Sequence, residues 1–294
     1  MHLENFTKKT LCIDDNFISY LDNDRGSPSV IFLIHGWMER KEHFFSFVKS
    51  LPPSVANTRI IIFDLRGHGD SSKLKTSSYQ IEDFCDDILA VIAQENLGNK
   101  SLSFVGHSFG GIVALITAKS LENKVNKVFL LNTNPGNHSN KPLLSFMTSF
   151  FTLNKRFTAY LIRKMGSFTP KDQSVASLFL ESVRLTPRFV IKQLALETIS
   201  RPLFSFLSDV PFPIVVITGD LDKLTPQSTV DDFRALSPFC NHIIFQDVGH
   251  YSPLVVPKRT AQIIARFLEE SPRTDTNIHN MEELIFCNSN QPLK

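Results

Sequence analysis

Cysteine is scarce in this chain: four among 294 residues, at positions 12, 85, 240 and 287, with no CxxC pair. That spacing excludes a disulfide framework and a cysteine metal site, and it suggests a reducing compartment. No pair of histidines or carboxylates has metal-ligand spacing, so neither a metal nor another cofactor is expected. Long apolar runs are missing too. None approaches the ~18 residues that a membrane span needs, and the opening MHLENFTKKTLCIDDNFISY lacks the apolar region of a signal peptide. Nor does charge of one sign accumulate: Lys and Arg number 31 against 29 Asp and Glu, a formal +2. No basic stripe of the density that nucleic acid demands is present. These absences predict a soluble, cytoplasmic protein with no nucleic-acid partner.

What is present is ordinary globular material, 42% hydrophobic over a length that suits one large domain with an insertion. Residues 9–22 read as two short strands around Asp14-Asp15-Asn16. Continuous apolar runs of strand length then recur at 29–36, 58–69, 101–108, 127–133, 212–220 and 241–250. Strands apolar on both faces belong to a parallel sheet covered by helices. Between them, 79–97 places Ile81, Phe84, Cys85, Ile88, Val91 and Ile92 at helical spacing, and 110–122 and 257–270 behave alike. Strand then helix, repeated, predicts an α/β fold with a doubly wound, mostly parallel sheet. The alternation breaks between Pro135 and Ser208, where only helical patterns appear and Thr186-Pro187 marks a helix start. The expected layout is a first core segment, 1–134, a helical insertion or cap, 135–208, a second core segment, 209–270, and a loosely ordered polar tail, 271–294.

The stretch LSFVGHSFGGIVALI, 102–116, is where chemistry first shows. A strand, a G-x-S-x-G pentapeptide and a helix in that order describe a nucleophile elbow. Small neighbours let the backbone turn sharply and hold the serine in a strained conformation. That turn lifts the Ser108 hydroxyl above the carboxyl edge of the sheet, and the helix starting near Phe109 aims its N-terminal dipole at the same spot. Alone, the pentapeptide would suit a glycine-rich turn with an incidental serine equally well. A nucleophilic serine also needs a base, and the base an orienting carboxylate. His250, in DVGHYSPLVVP, follows the last strand run. Asp222, in ITGDLDKLTP, follows the one before it, with Asp220 its nearest competitor. The chain order Ser, Asp, His is the one expected of this architecture.

With these residues in place, the chain resembles the α/β-hydrolase fold superfamily, in its branch with a serine nucleophile and a helical cap. The resemblance covers about 9–270 and rests on HGW after the third strand, DLRGHGDS after the fourth, the GHSFGG elbow, GDLDKLTP and the late GH, each in the expected order. It implies Ser108 as nucleophile, His250 as base and Asp222 as acid, since the family pattern sets the acid three residues after the glycine. Some relatives carry the acid after the sixth strand, but here that position reads LLNTNPG, without a carboxylate. The resemblance further implies the backbone amides of Trp37 and Phe109 as oxyanion donors, and a structural role for His35 in holding the oxyanion loop. His68 and His107 are expected to pack or hydrogen-bond, and Asp64 and Arg66 to stabilise the turn after the fourth strand.

Together these features predict a hydrolase that cleaves a carboxylic ester or thioester through an acyl-enzyme. Amide, carbon–carbon bond and peroxide chemistry occur on similar triads, and a non-catalytic ligand-binding protein could keep the fold without the chemistry. The resemblance counts Ser108 against epoxide hydrolases and dehalogenases, which use aspartate at the elbow. Within the insertion, Leu143, Met147, Phe150, Phe157, Leu161 and Met165 recur at helical spacing, and most of them suit ordinary packing of cap on core. Trp37, Phe150 and Phe157 are the candidates for lining an apolar acyl pocket in a chain with 26 phenylalanines. Ten Lys and Arg against three Asp and Glu give 135–208 a charge of +7, which leaves −5 of the chain's +2 for the remainder. Such a cap would attract an anionic partner, either an acidic acyl-carrier protein or an anionic membrane surface. The HGW loop also resembles the esterases that demethylate pimeloyl-carrier-protein esters.

Overall fold

The computed structural model describes residues 1–135, 173–200, 210–225, 228–270 and 283–286. The hairpin expected near the start is β1 (Thr7–Ile13) and β2 (Asn16–Asp22), which turn at Asp14 with a left-handed φ of 50° that a short polar side chain tolerates. The apolar runs become β3 (Ser29–Ile34), β4 (Arg59–Phe63), β5 (Ser101–His107), β6 (Val125–Leu131), β7 (Ile214–Gly219) and β8 (Cys240–Phe245). With β9 (Glu283–Phe286) they form one nine-stranded sheet in the order β1-β2-β4-β3-β5-β6-β7-β8-β9. The β1–β2 and β2–β4 pairs are antiparallel, and every later pair is parallel.

Two-sided burial explains the unbroken apolar runs. Alternate side chains of one strand point to opposite faces, so Phe32 and Ile34 join one core while Ile31 and Leu33 join the other. The first core is covered by α2 (Ile81–Gln94) and α3 (Phe109–Leu121); the second by α1 (Phe45–Lys49) and, further along the chain, Pro257–Glu269. All six apolar positions predicted on α2 are buried in the first core. Its start is fixed by the Gln80 amide donating to Asp83 Oδ2 at 2.7 Å, with Glu82 and Asp83 facing the positive end of the helix.

The predicted insertion is described in part. It contributes α4 (Gln173–Leu185) and α5 (Arg188–Ser200), separated at Thr186-Pro187 as the sequence suggests. Val175, Phe179, Val183 and Ile191 from these helices pack with Met38, Tyr251 and Leu254 of the sheet's carboxyl edge. Leu143, Met147, Phe150, Phe157, Leu161 and Met165 lie outside the described residues. The longer helices of the second core segment are α6 (Thr229–Leu236) and α7 (Pro257–Glu269), with a single helical turn at Ser252–Val255 before α7. No helix among the described residues is long and apolar enough to cross a membrane.

The tail corrects one expectation. Within 271–294, read as loosely ordered with only a short apolar patch, that patch, ELIF, is β9 and pairs in parallel with β8 from His242↔Glu283 to Phe245↔Phe286. Without it β8 would end the sheet with a row of unpaired backbone groups. An isolated four-residue run carries no periodic signal, so only the open edge identifies it as a strand.

Candidate active site

Ser108 sits between β5 and α3 at φ 50°, ψ −118°, a conformation that L-residues rarely adopt. The structure shows why its neighbours are glycines. A Cβ on Gly106 would run into the Gly110 carbonyl, and one on Gly110 into the carbonyls of Ile34 and His35 on the adjacent strand end. The turn is pinned by the Ser108 amide donating to Leu131 O at 2.8 Å and by the Gly111 amide donating back to Ser108 O at 3.0 Å. Ser108 is half-buried, with its hydroxyl at the carboxyl edge of the sheet.

His250 and Asp222 reach the same edge from the loops after β8 and β7. His250 Nε2 lies 2.9 Å from Ser108 Oγ, and His250 Nδ1 lies 2.9 Å from Asp222 Oδ2. With a carboxylate facing Nδ1, that nitrogen carries the ring proton, and Nε2 is left as an acceptor for the serine hydroxyl. Asp222 is buried at 6% exposure, yet every oxygen is satisfied. Oδ1 accepts the amides of Leu224 at 2.9 Å and Thr225 at 3.0 Å, and Oδ2 accepts Asn132 Nδ2 at 2.9 Å besides His250. Burial would raise the Asp222 carboxyl, but the facing His250 and these donors outweigh it and hold it below the usual carboxylate range. Asp220, the competing acid, is exposed and accepts the Val248 amide at 3.2 Å.

The expected oxyanion donors belong to two segments that meet near Ser108, since a Cβ on Gly110 would strike the Ile34 and His35 carbonyls. Phe109 opens α3, and an amide in the first turn of a helix has no intrahelical acceptor. Trp37 follows Gly36 at the end of β3, and its half-buried side chain touches both the main core and the cluster formed with α4 and α5. The loop it rides on is held by buried histidines. His35 Nδ1 donates to Gly36 O at 2.8 Å, and its Nε2 accepts the Leu65 amide at 3.0 Å. His68 accepts the Met38 amide at 3.2 Å on Nε2 and donates from Nδ1 to Arg66 O at 2.9 Å. Burial pushes His68 down to about 3 and His35 down likewise, so both stay neutral, as these mixed donor and acceptor roles require. Asp64 accepts the backbone amides of Lys41 at 2.8 Å and Asp70 at 2.9 Å, while Arg66 forms a two-pronged pair with Asp87 of α2.

Sequence reasoning missed two contributors, and a third, His107, it expected only to pack or hydrogen-bond. Asn132 was read only as the absence of a carboxylate after β6. In the structure it holds the Asp222 carboxylate: besides Asp222 Oδ2, its Nδ2 reaches Gly249 O at 3.3 Å, and its Oδ1 accepts the Ser252 amide at 3.4 Å. Its φ of 48° is one that asparagine tolerates. The missed signal was its place directly after a strand end, where any polar side chain faces the site. The other two, Glu39 and His107, are buried beside the row and face each other. Phe150 and Phe157, the candidate pocket residues, lie outside the described residues. Among the described residues, one carboxylate group, Asp22, Asp24 and Glu95, has oxygens close enough for a cation, but Lys9 and Arg59 are already paired with it.

Comparison with known proteins agrees with this architecture. A family model for the alpha/beta hydrolase fold matches residues 29–257. Lipase 3 of Moraxella sp. (strain TA144) is 22% identical over 267 residues, which cover 86% of this chain and 81% of the lipase. Pimeloyl-[acyl-carrier protein] methyl ester esterase of Aliivibrio salmonicida is 25% identical over 237 residues, covering 76% of this chain and 86% of the esterase. Among solved structures, an esterase from Exiguobacterium antarcticum superposes with a TM-score of 0.80 at 17% identity, covering 90% of this chain and all of the esterase chain at 100%.

Proposed function

Because the chain belongs to the alpha/beta hydrolase fold family, we propose that it is a serine hydrolase cleaving a carboxylic ester or thioester of an apolar acyl group. The observation that carries this reading is the unbroken row from Asp222 through His250 to Ser108, with 2.9 Å at each step. Ser108 Oγ attacks the acyl carbon while its proton passes to His250 Nε2. The negative charge that develops on the carbonyl oxygen is met by the amides of Trp37 and Phe109, and Asp222 stabilises the imidazolium. The bond to the leaving group then breaks as His250 returns the proton to it. Water, deprotonated by the same imidazole, attacks the acyl-enzyme and frees the acid.

An apolar acyl group is supported by the cluster that Tyr251 joins next to His250, in which Met38 and Phe179 are buried and against which Trp37 and Leu178 pack. The free thiols of Cys12, Cys85 and Cys240 favour a reducing, cytoplasmic setting. The test is a fluorophosphonate probe with peptide mapping, followed by p-nitrophenyl esters, acyl-thioesters and amides of graded chain length. Labelling should fall on Ser108, with esters and thioesters turned over faster than amides. No labelling of the folded protein would rule the mechanism out.

An anionic partner at the cap belongs to the same proposal. Arg188 and Lys192 are exposed one turn apart on α5, near the exposed Leu196, within the segment of +7. Steering by such charge weakens as salt screens it. For an acyl-carrier-protein ester or an ester in anionic vesicles, kcat/KM should fall steeply between low and high salt, while a small neutral ester is cleaved at an unchanged rate. Arg188→Glu with Lys192→Glu should produce the same split. A large substrate indifferent to both would remove the partner from the proposal.

A further inference from the structure

Two buried charged groups beside Ser108, His250 and Asp222 have no part in the steps above: Glu39, 3% exposed, and His107, 1% exposed. His107 Nδ1 lies 2.8 Å from Glu39 Oε1, and His107 Nε2 donates to the His250 carbonyl at 2.7 Å. One ring nitrogen faces a carboxylate and the other a carbonyl. A carbonyl can only accept, so Nε2 carries a proton, and the carboxylate beside Nδ1 attracts a second one there. Burial pulls the ring's pKa down, but Glu39 outweighs it and the ring stands above its ordinary value. Burial likewise pushes Glu39 up, and His107 more than reverses this. The other carboxylate oxygen, Oε2, accepts the Gly36 amide at 2.9 Å. Gly36 backs directly onto the pair: a Cβ there would stand 3.1 Å from Glu39 Oε1 and 3.2 Å from His107 Nδ1.

We infer that Glu39 and His107 are positioning residues for the proposed hydrolysis. They form a continuous brace from the Gly36 amide to the His250 carbonyl, which sets the Trp37 amide and the His250 imidazole at working distance on either side of Ser108. The inference rests on the reading of Ser108 as nucleophile. Gly36 immediately precedes Trp37, so a shift of the Gly36 peptide moves the amide meant for the oxyanion. At its other end the brace holds the backbone of His250 itself, whose ring Asp222 orients only about Nδ1. A buried ion pair adds little net stability, because two desolvation penalties offset the attraction. What it supplies here is register between two loops that the sheet brings together from β3 and β8.

The experiment compares kcat per Ser108 site, titrated to completion with a fluorophosphonate, on the p-nitrophenyl ester that wild type turns over fastest. Glu39→Ala removes both arms of the brace. His107→Phe combined with Glu39→Gln removes only the arm to His250 and leaves no buried charge behind. Glu39→Gln alone preserves the geometry: its amide oxygen accepts the Gly36 N–H, its NH2 donates to His107 Nδ1, and Nε2–H still reaches His250 O. A misplacement of about 1 Å costs about 10²-fold. Glu39→Ala and the double variant should therefore each lose about 10²-fold in kcat with KM changed by less than about twofold, whereas Glu39→Gln should recover all but about threefold. If kcat per titrated site stays within about threefold of wild type in both broken-brace variants, whatever their melting temperatures, the pair is merely structural and the inference is overturned. Should Glu39→Ala not fold, the double variant decides. If neither folds, the pair is a folding determinant and the inference is again overturned. A wild-type protein that takes no label at Ser108 would sink the hydrolase reading and the brace with it, whereas labelled variants with unaffected kcat sink the brace alone.

Discussion

Ser108→Ala should lower kcat by about 10⁶-fold, His250→Ala by nearly as much, and the two together by little more than either. The reason lies in the geometry. Ser108 Oγ and His250 Nε2 are joined by one 2.9 Å contact, and the proposed step moves a single proton along it. Once either end is gone the other has nothing to act on, so the second loss is nearly free. The serine substitution should leave the fold intact. The structural work of that turn is done by its backbone, through the Leu131 carbonyl and the Gly111 amide, and alanine keeps both bonds. Steady-state kinetics on the three variants, with thermal melts beside them, are the measurement. Losses that multiply instead of saturating would contradict a shared proton path.

Asp222→Asn should lower kcat by about 10⁴-fold, and Asp220→Asn should change it little. An asparagine at 222 must keep its carbonyl oxygen toward the amides of Leu224 and Thr225, which both donate to Oδ1. Its NH2 then occupies the place of Oδ2, where Asn132 Nδ2 and His250 Nδ1 already face it. Three nitrogens would meet where one acceptor stood. The imidazole can relieve this only by moving its proton to Nε2, the nitrogen that has to accept from Ser108. Asp220 makes no contact of this kind, since its Oδ1 accepts the Val248 amide. A larger loss at 220 than at 222 would reverse the assignment of the acid.

Much of this arrangement is legible in one dimension. The strand runs are apolar throughout because both faces of the sheet are covered, and a stretch of that kind has few alternatives. Ser108 announces itself because so sharp a turn tolerates only small neighbours, a constraint written in adjacent positions. His250 and Asp222 stand out because each follows a strand end at the edge where the serine is raised. The start of a helix is legible too, since α4 and α5 flank Thr186-Pro187.

The parts that stayed hidden depend on partners far away in the chain. β9 is a strand because β8 has an open edge, a property of the assembled sheet that the run ELIF does not carry. Asn132 lies 90 residues before the carboxylate it orients, and its place directly after a strand end does not say which side chain it meets there. Glu39 and His107 each look like ordinary polar residues of a motif loop, and their charge becomes meaningful only where both are buried against each other.

The sequence by itself determined the elements, their order and the three residues at the strand ends, because these follow from periodicity, turn sterics and chain order, which are local. Tertiary structure decided which neighbours hold those residues: it seated β3 beside β5, placed β6 beside β7, and left Glu39, His107 and Asn132 buried at the same carboxyl edge. Burial of a polar group demands a partner of matching donor or acceptor character, and such a partner can be recognised only once the sheet has brought both ends together.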